Sequence, residues 1–134
     1  MMTDAQLEWK RCRHWIGAAL DRAGDGEITL EDIEQGVARG VFQFWPGMRA
    51  AAVTEIATFP RKRYLNIIAA GGDMEEIIGM FPSMKSFGRH MGCTKLVEVG
   101  RAGWERVLGA RGWKREAVVL STPIEETASG PTTQ

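Results

Sequence analysis

Residues 71–76 of this chain have the residue types of an anion-binding turn. Two adjacent glycines, Gly71 and Gly72, follow an apolar run, and Asp73 comes next as a candidate N-cap whose capping box Glu76 would complete. This order predicts a strand, a tight glycine turn and a helix whose free N-terminal amides face outward at the end of the strand. Two adjacent glycines are much weaker than a full phosphate-loop motif, so a turn that only connects two elements stays open as the alternative.

Two short cysteine–histidine pairs have residue types that bind metal ions or react through a thiol. They are Cys12 with His14, and His90 with Cys93. A metal site needs three or four ligands, and nothing in the sequence brings the two pairs together. We therefore interpret them as core or surface residues and predict no metal site. The widely separated cysteines also favour reduced thiols and a cytoplasmic protein.

One segment, DRAGDGEITLED, imitates a calcium-binding EF-hand loop. Asp21, Asp25 and Asp32 occupy ligand positions, but Ala23 stands where another ligand belongs, and Asp32 is shorter than the usual bidentate glutamate. The alternative is a helix C-terminus, a glycine turn and a new helix capped by Thr29. The missing and shortened ligands favour this alternative.

The elements that position these residues follow from hydrophobic periodicity and from glycine and proline breaks. The pattern predicts two helices, three strands, a helix, a strand, a helix and a last strand; in order, they span residues 4–22, 29–38, 41–45, 50–58, 65–70, 73–80, 94–99, 102–111 and 117–120. The third helix should break or restart at Pro82, which cannot donate a backbone hydrogen bond. Short connections favour an antiparallel meander for the first three strands, and the strand–helix–strand crossover predicts a fourth strand parallel to the third.

Length and composition are those of one ordinary globular domain. Of 134 residues, 44% are hydrophobic, and 17 basic and 17 acidic side chains give a formal net charge of zero. This balance argues against nucleic-acid or membrane binding through bulk charge, and no run reaches the length of a membrane span. We predict a single domain over residues 1–120, helical over 1–40 and built on the sheet over 41–120. Residues 121–134 have little to bury and should form a flexible tail.

The order of elements from Val41 to Leu120 resembles the GNAT acyltransferase superfamily. The meander, the glycine turn into a helix, the parallel strand and a closing helix followed by Gly112 and Trp113 carry this resemblance. The chain also resembles small GNAT-like proteins of tailed bacteriophages, in the segments Trp45-Pro46-Gly47, Val53-Thr54-Glu55-Ile56, Ala70-Gly71-Gly72, Gly92-Cys93 and Gly100-Arg101. The resemblance implies an α/β (α+β) fold with a GNAT-like mixed sheet. An antiparallel meander would lead into splayed parallel strands, after two N-terminal helices.

The resemblance also implies where acetyl-CoA would bind if the protein is an enzyme. The implied positions are, for the pantetheine arm, the backbone of Ile67, Ile68 and Ala69, and, for the pyrophosphate, Gly71, Gly72 and Asp73. Glu55 occupies a place where some family members carry the general base that deprotonates the amine. A solvated strand carboxylate is the alternative for Glu55.

Several positions depart from the family pattern. The loop after the third strand lacks the family's Arg or Gln and its spaced glycines, and Asp73 brings negative charge to the phosphate site. Leu108 stands where members often carry the tyrosine that protonates the leaving thiolate, and Arg101 where they often carry an asparagine. The family's N-terminal strand is also missing.

Two functional hypotheses follow. The departures favour a phage-encoded, non-catalytic GNAT-fold protein that acts as a virion or assembly component or as a host-directed binding protein. Its partner would then be a phage or host protein. The alternative is an acetyl-CoA-dependent N-acyltransferase acting on an unknown amine. We expect the protein in the cytoplasm of the host cell, or in the virion under the first hypothesis.

Overall fold

The computed structural model, which describes residues 1–24, 26–100 and 102–125, has a four-stranded sheet that follows two N-terminal helices. The chain divides into two units, residues 1–101 and 102–134. The first unit contains α1 (Asp4–Ala23), α2 (Leu30–Ala38), β1 (Phe42–Pro46), β2 (Ala50–Thr58), β3 (Arg63–Gly72), α3 (Met74–His90) and β4 (Lys95–Glu98). The second contains α4 (Ala102–Gly109). The prediction of a single domain over residues 1–120 stays a prediction.

The sheet has the predicted order and directions. Its strands lie in the order β1-β2-β3-β4; β1 and β3 run antiparallel to β2, and β4 runs parallel to β3. The turn between β1 and β2 is closed by a hydrogen bond from the Gly47 amide to the Ala50 oxygen at 2.8 Å, and that between β2 and β3 by one from Phe59 to Lys62 at 2.8 Å. The predicted α/β fold, with a meander followed by a parallel strand, is confirmed.

Both N-terminal helices begin at a capping box. In α1 the Thr3 hydroxyl accepts the Gln6 amide at 3.1 Å, and the Gln6 side chain accepts the Thr3 amide at 2.8 Å. In α2 the Thr29 hydroxyl accepts the Asp32 amide at 3.1 Å, and the Asp32 carboxylate accepts the Thr29 amide at 2.9 Å. Hydrogen bonds from Thr29 lower the pKa of Asp32. The capped-helix interpretation is therefore confirmed for the calcium-like segment, of which Asp25 lies outside the described residues.

The core joins the two N-terminal helices to one face of the sheet. Ile16 of α1, Ile33 of α2 and Val53 of β2 are fully buried in one cluster. Because successive strand residues point to opposite faces, Thr54 must face the other way. That second face is covered by α3, whose Phe87 ring packs edge-to-face with Trp45 at 5.9 Å between centroids.

The predicted break at Pro82 is wrong. Helix α3 runs without interruption from Met74 to His90, and Pro82 lies inside it on the exposed side. A proline inside a helix costs about 3 kcal/mol, because it removes a hydrogen bond and clashes with the preceding turn. Phe81 and Met84 are 5% and 0% exposed. Burial of two such side chains contributes about 1.5–3 kcal/mol each, which offsets the cost.

Two other predictions from the sequence are wrong. One places the end of the third strand too early, and the other predicts a strand where the structure has none. Gly71 and Gly72 are the last residues of β3 rather than a separate turn, because both still pair with β2. The segment 117–120 is not a strand. Its Val118, Val119 and Leu120 are 66%, 77% and 88% exposed, and β-favouring residues without a partner strand do not form a sheet.

The structure describes only the first five residues of the predicted tail. Residues 121–125 form no helix or strand, and residues 126–134 of the predicted tail lie outside the described part of the chain. None of the helices in the described residues is both long and apolar enough to cross a membrane.

Candidate functional site

Strands β3 and β4 pair along only part of their length. The parallel ladder runs from Tyr64 opposite Lys95 to Ile67 opposite Glu98, while β3 continues to Gly72. Among the described residues, no strand pairs with this side of β3 beyond Ile67. We call the Ile67–Glu98 pair, together with the unpaired edge that follows it, the fork. The edge is roughly 15 Å long at the usual rise per residue.

A β-bulge lies at the fork. On the other side of β3, Ala69 pairs with Val53 and Ile67 pairs with Thr54, so Ile68 is an extra residue without its own partner. A bulge bends its strand and increases the local twist. This irregularity gives a physical reason for β3 to leave β4 after Ile67. An unpaired strand edge presents backbone donors and acceptors, which an extended arm with amide groups can satisfy.

Glu98 is the last residue of β4 and lies at the fork. Its side chain is partly buried, and this desolvation raises the pKa of the Glu98 carboxyl to about 7. Within the described residues it has neither a hydrogen bond nor an ion pair. At neutral pH such a carboxyl is partly ionised, so it can accept or release a proton. In the sequence, Glu98 was only one residue of the predicted strand over residues 94–99, and its pattern there gave no sign of a site residue.

The structure does not bring Glu55 to the fork. Glu55 pairs with Phe42 on one side and Asn66 on the other, in the row next to the one that contains Thr54. Cross-strand partners share a face of a sheet. Because Thr54, Ile67 and Glu98 are aligned across three strands, they share one face, and Glu55 lies on the opposite face. The role implied for Glu55 stays a prediction.

A buried polar group lies on the same sheet face as Glu98. The fully buried Thr54 hydroxyl accepts a hydrogen bond from the Trp45 indole nitrogen at 2.9 Å and donates one to the Gln43 side-chain oxygen at 2.8 Å. Each partner comes from the edge strand β1. Gln43 is the cross-strand partner of Thr54, in the row that leads across the sheet to Ile67 and Glu98, while Trp45 pairs with Ala52, two residues earlier in β2.

At the N-terminus of α3, where a pyrophosphate was expected, internal hydrogen bonds engage the Asp73 and Glu76 amides. Asp73 alone separates β3 from α3. Its amide donates to the Arg49 oxygen at 2.9 Å, and its carboxylate accepts the Glu76 amide at 3.0 Å. The Glu76 carboxylate in turn accepts the Arg49 amide at 2.6 Å. The first turn of α3 is thus bound to the connection between β1 and β2.

The two glycines of β3 have packing roles. A Cβ atom at Gly71 would overlap the backbone oxygen of Trp15 in α1, and one at Gly72 would overlap the Arg49 oxygen. Gly72 also has a φ of 101°, in the region that favours glycine. Both glycines are therefore explained by close contacts within the protein. The acetyl-CoA positions implied for β3 and for the first turn of α3 stay predictions.

Among the described residues, the cysteines and histidines do not belong to a group that could bind a metal ion. In the part of the chain that the structure describes, no three His, Cys, Asp or Glu side chains are grouped closely enough to hold an ion. Burial raises the pKa of both thiols, Cys12 in the core and Cys93 after α3, which lowers their reactivity at neutral pH. Leu108 is buried and its side chain cannot transfer a proton, while Arg101 lies outside the described residues.

Comparisons with known proteins show which fold the chain has. No protein-family model matches the sequence, and neither does any curated protein. An acetyltransferase from Trypanosoma brucei has a similar structure, with a TM-score of 0.60, 12% identity and coverage of 92% of this chain and 96% of its own. The glucosamine-6-phosphate N-acetyltransferase from Arabidopsis thaliana is also similar, with a TM-score of 0.56, 15% identity and coverage of 87% of this chain and 92% of its own. A predicted acetyltransferase from Clostridium acetobutylicum, solved with acetyl-CoA, has a TM-score of 0.57 and 13% identity. The match covers 71% of this chain and 72% of the other.

These likenesses, together with the sheet order and the fork, show that the chain has the fold of the GNAT acetyltransferases. The resemblance noted in the sequence is confirmed at the level of the fold.

Proposed function

We propose that this protein is an acyltransferase that moves a short acyl group from a thioester to an amine. The observation that carries the proposal is the fork, where a carboxyl with a pKa of about 7 ends β4 just as β3 becomes an unpaired edge. The fold supports the proposal, because the solved proteins of similar fold include acetyltransferases.

Glu98 is the residue to which we assign proton transfer. In the step that we propose, Glu98 accepts the proton that the amine loses while its nitrogen attacks the thioester carbonyl carbon. A C–N bond forms, the C–S bond breaks, and the sulfur leaves as a thiolate that is protonated by solvent or by the carboxylic acid just formed. A general base works best when its pKa is near the working pH, and burial gives Glu98 that property.

The unpaired edge of β3 has the second role, which is to position the donor. An arm with alternating amide groups can lie along residues 68–72 as an added strand, and hydrogen bonds to the backbone would hold its thioester end toward Ile67 and Glu98. Holding two reactants in a fixed geometry lowers the barrier independently of any acid or base. The fork would thus supply both orientation and a base.

The other hypothesis, a non-catalytic phage or host-directed binding protein, stays a prediction and is decided by the same experiment. The protein is incubated with S-acetylpantetheine and, separately, acetyl-CoA, in the presence of amino sugars, polyamines and peptides with free amines. Release of thiol is followed with a chromogenic disulfide. We expect amine-dependent thiol release that the Glu98→Gln variant loses. Equal release by the wild type and this variant with every amine would contradict the proposal.

A further inference from the structure

We propose that the turn between β2 and β3 is part of a binding site for single-stranded nucleic acid. This site is separate from the fork, because the turn precedes β3, whereas the fork begins at Ile67 within that strand. The inference therefore goes beyond the proposed function and does not depend on it. The chain has no net charge, but its charges are unevenly placed, and the turn lies where cations are concentrated.

The sequence around the turn carries cations without neighbouring carboxylates. Residues 56–72 and residues 77–97 contain no aspartate or glutamate, and each of these two segments carries three lysine or arginine side chains. In the first segment the three are consecutive, namely Arg61, Lys62 and Arg63. A local patch of one sign of charge attracts polyanions even in a protein whose total charge is zero.

The turn forms one wall of a groove, which we call the basic groove. Residues 58–63 form this wall, and Met91 and Gly92, just after α3, form the other. The volume of the groove is about 370 Å³, and none of its lining residues is acidic. Pockets that bind small ligands have volumes of about 300–1,000 Å³, so the basic groove can receive a single unstacked base with its sugar.

The three cations of the turn are available to an anionic ligand. Among the described residues, the side chains of Arg61 and Lys62 make no hydrogen bond or ion pair, and both are exposed. The Arg63 guanidinium donates to the Met91 oxygen at 3.0 Å, between the two walls of the groove, which leaves its other N–H groups for a second acceptor. A guanidinium held in this way can bind phosphate oxygens through two parallel hydrogen bonds.

The C-terminal end of α3 does not oppose an anion in the groove through free carbonyl groups. The last carbonyls of a helix carry partial negative charge, which would repel a phosphate. Here the Gly88 oxygen accepts the Met91 amide at 3.1 Å and the Cys93 amide at 2.7 Å. The exposed Arg89 side chain in the last turn of α3 adds a further cation beside the groove.

An exposed aromatic ring in the groove favours nucleic acid over other polyanions. Phe59 is 52% exposed, although its ring also packs against Tyr64, with 5.3 Å between the centroids. Proteins that bind single strands combine cations for the phosphates with aromatic rings on which the bases stack. An acidic peptide segment has no planar base to place there, and a flat membrane surface does not enter a groove. The chemistry of the groove therefore fits a single strand.

The experiment measures binding of the whole protein to a fluorescent single-stranded DNA of mixed sequence, about 12 nucleotides long, by fluorescence anisotropy. We expect a Kd of about 1–100 µM at about 0.05 M salt, the range usual for binding through phosphates. Three phosphate contacts predict that the logarithm of the association constant falls with the logarithm of the salt concentration with a slope of about −2. The affinity should therefore fall about twentyfold between about 0.05 M and about 0.2 M salt.

Two variants separate the contribution of charge from that of stacking. Arg61→Gln combined with Lys62→Gln should weaken binding at least about tenfold at the lower salt and reduce the slope to about −0.7, as expected for loss of two phosphate contacts. Phe59→Leu keeps an apolar side chain without the ring, so it should weaken binding about fivefold or more and leave the slope unchanged. The matched control is Lys10→Gln combined with Arg13→Gln, two exposed cations of α1 outside the groove, which changes the net charge equally and should leave the affinity nearly unchanged.

Each outcome supports or overturns the proposal. Absence of binding at about 100 µM protein overturns it. Equal weakening by the two double variants also overturns it, because binding would then follow the net charge and not the groove. Binding to duplex DNA, to polyglutamate or to vesicles that contain phosphatidylserine, if as tight as binding to the single strand, overturns it in favour of that partner. Tightest binding to the single strand, weakened by the groove variants alone, supports it.

Discussion

Glu98 lies directly opposite Ile67 in the last pair of the β3–β4 ladder, so a partly buried carboxyl stands where the two strands part. The pairing places Glu98 on the same face as Thr54 and away from Glu55. The two candidate bases are thus on different faces of the sheet, and substitution can separate them.

Glu98→Gln should abolish most of the acyl transfer and Glu55→Gln should not. Loss of a general base lowers the rate by about 10²–10⁴-fold, whereas the amide retains the size of the side chain. The wild-type rate should rise as pH increases through about 7, because only the ionised Glu98 carboxylate accepts a proton. Thiol release measured from pH 5 to 9 checks both statements. A larger loss in Glu55→Gln than in Glu98→Gln would show that the wrong carboxyl has been assigned.

Glu98 should also make folding stability depend on pH. The folded state raises its pKa from 4.5 to about 7, so between these values the folded protein binds more protons than the unfolded chain. The free energy of unfolding therefore falls as pH rises from about 4.5 to about 7, by on the order of 3 kcal/mol for a shift of this size. The folded state lowers the pKa of the Glu8, Asp32 and Glu105 carboxyls. The folding stability that these ionised carboxyls contribute is therefore lost at lower pH, as they become protonated.

Denaturant unfolding at pH 4.5 and pH 8 measures this effect, and Glu98→Gln is the control. The variant should match the wild type at the lower pH and exceed its stability at the higher pH, because it never pays the cost of a buried charge. A constant difference between wild type and variant at all pH values would mean that Glu98 is solvated like an ordinary carboxyl.

Much of the fold follows from local sequence signals. The two N-terminal helices and the three strands of the meander were predicted from the types of neighbouring residues, and the structure has them close to the predicted bounds. Short connections then limit how the strands can pair. The parallel pairing of β4 needed only one further rule, the strand–helix–strand crossover.

The parts that the sequence did not predict depend on distant contacts. Pro82 stays inside α3 because Phe81 and Met84 are buried beside it. Gly71 was interpreted from the sequence as part of a turn. The structure excludes a side chain there because its Cβ atom would overlap the backbone of Trp15, which is far away in the chain. The raised pKa of Glu98 likewise comes from burial, which no single strand pattern reveals. Site residues were therefore harder to find than elements.

Gly71→Ala should destabilise the protein, while Gly79→Ala should not. The new methyl group at position 71 would overlap the Trp15 backbone oxygen, which cannot move without shifting α1, and overpacking of this kind costs about 1–3 kcal/mol. Gly79 lies on the exposed side of α3 with nothing within 4 Å of its added Cβ. There alanine should stabilise by up to about 1 kcal/mol, because it favours a helix. Thermal unfolding of both variants tests the pair, and equal effects would mean that α1 does not contact β3 at Gly71.

Thr54→Val should destabilise the protein and disturb Trp45, while Thr54→Ser should do neither to the same extent. Valine has nearly the shape of threonine, but it removes the buried hydroxyl that partners the Trp45 indole N–H and the Gln43 oxygen, both of which belong to half-buried side chains. An unsatisfied buried polar group costs about 1–3 kcal/mol. Serine keeps the hydroxyl and loses one methyl group, which costs roughly 1 kcal/mol. Denaturant unfolding together with the NMR shift of the indole proton measures both effects. A valine variant as stable as the wild type, with an unchanged indole shift, would show that the Trp45–Thr54 hydrogen bond contributes nothing to this face of the sheet.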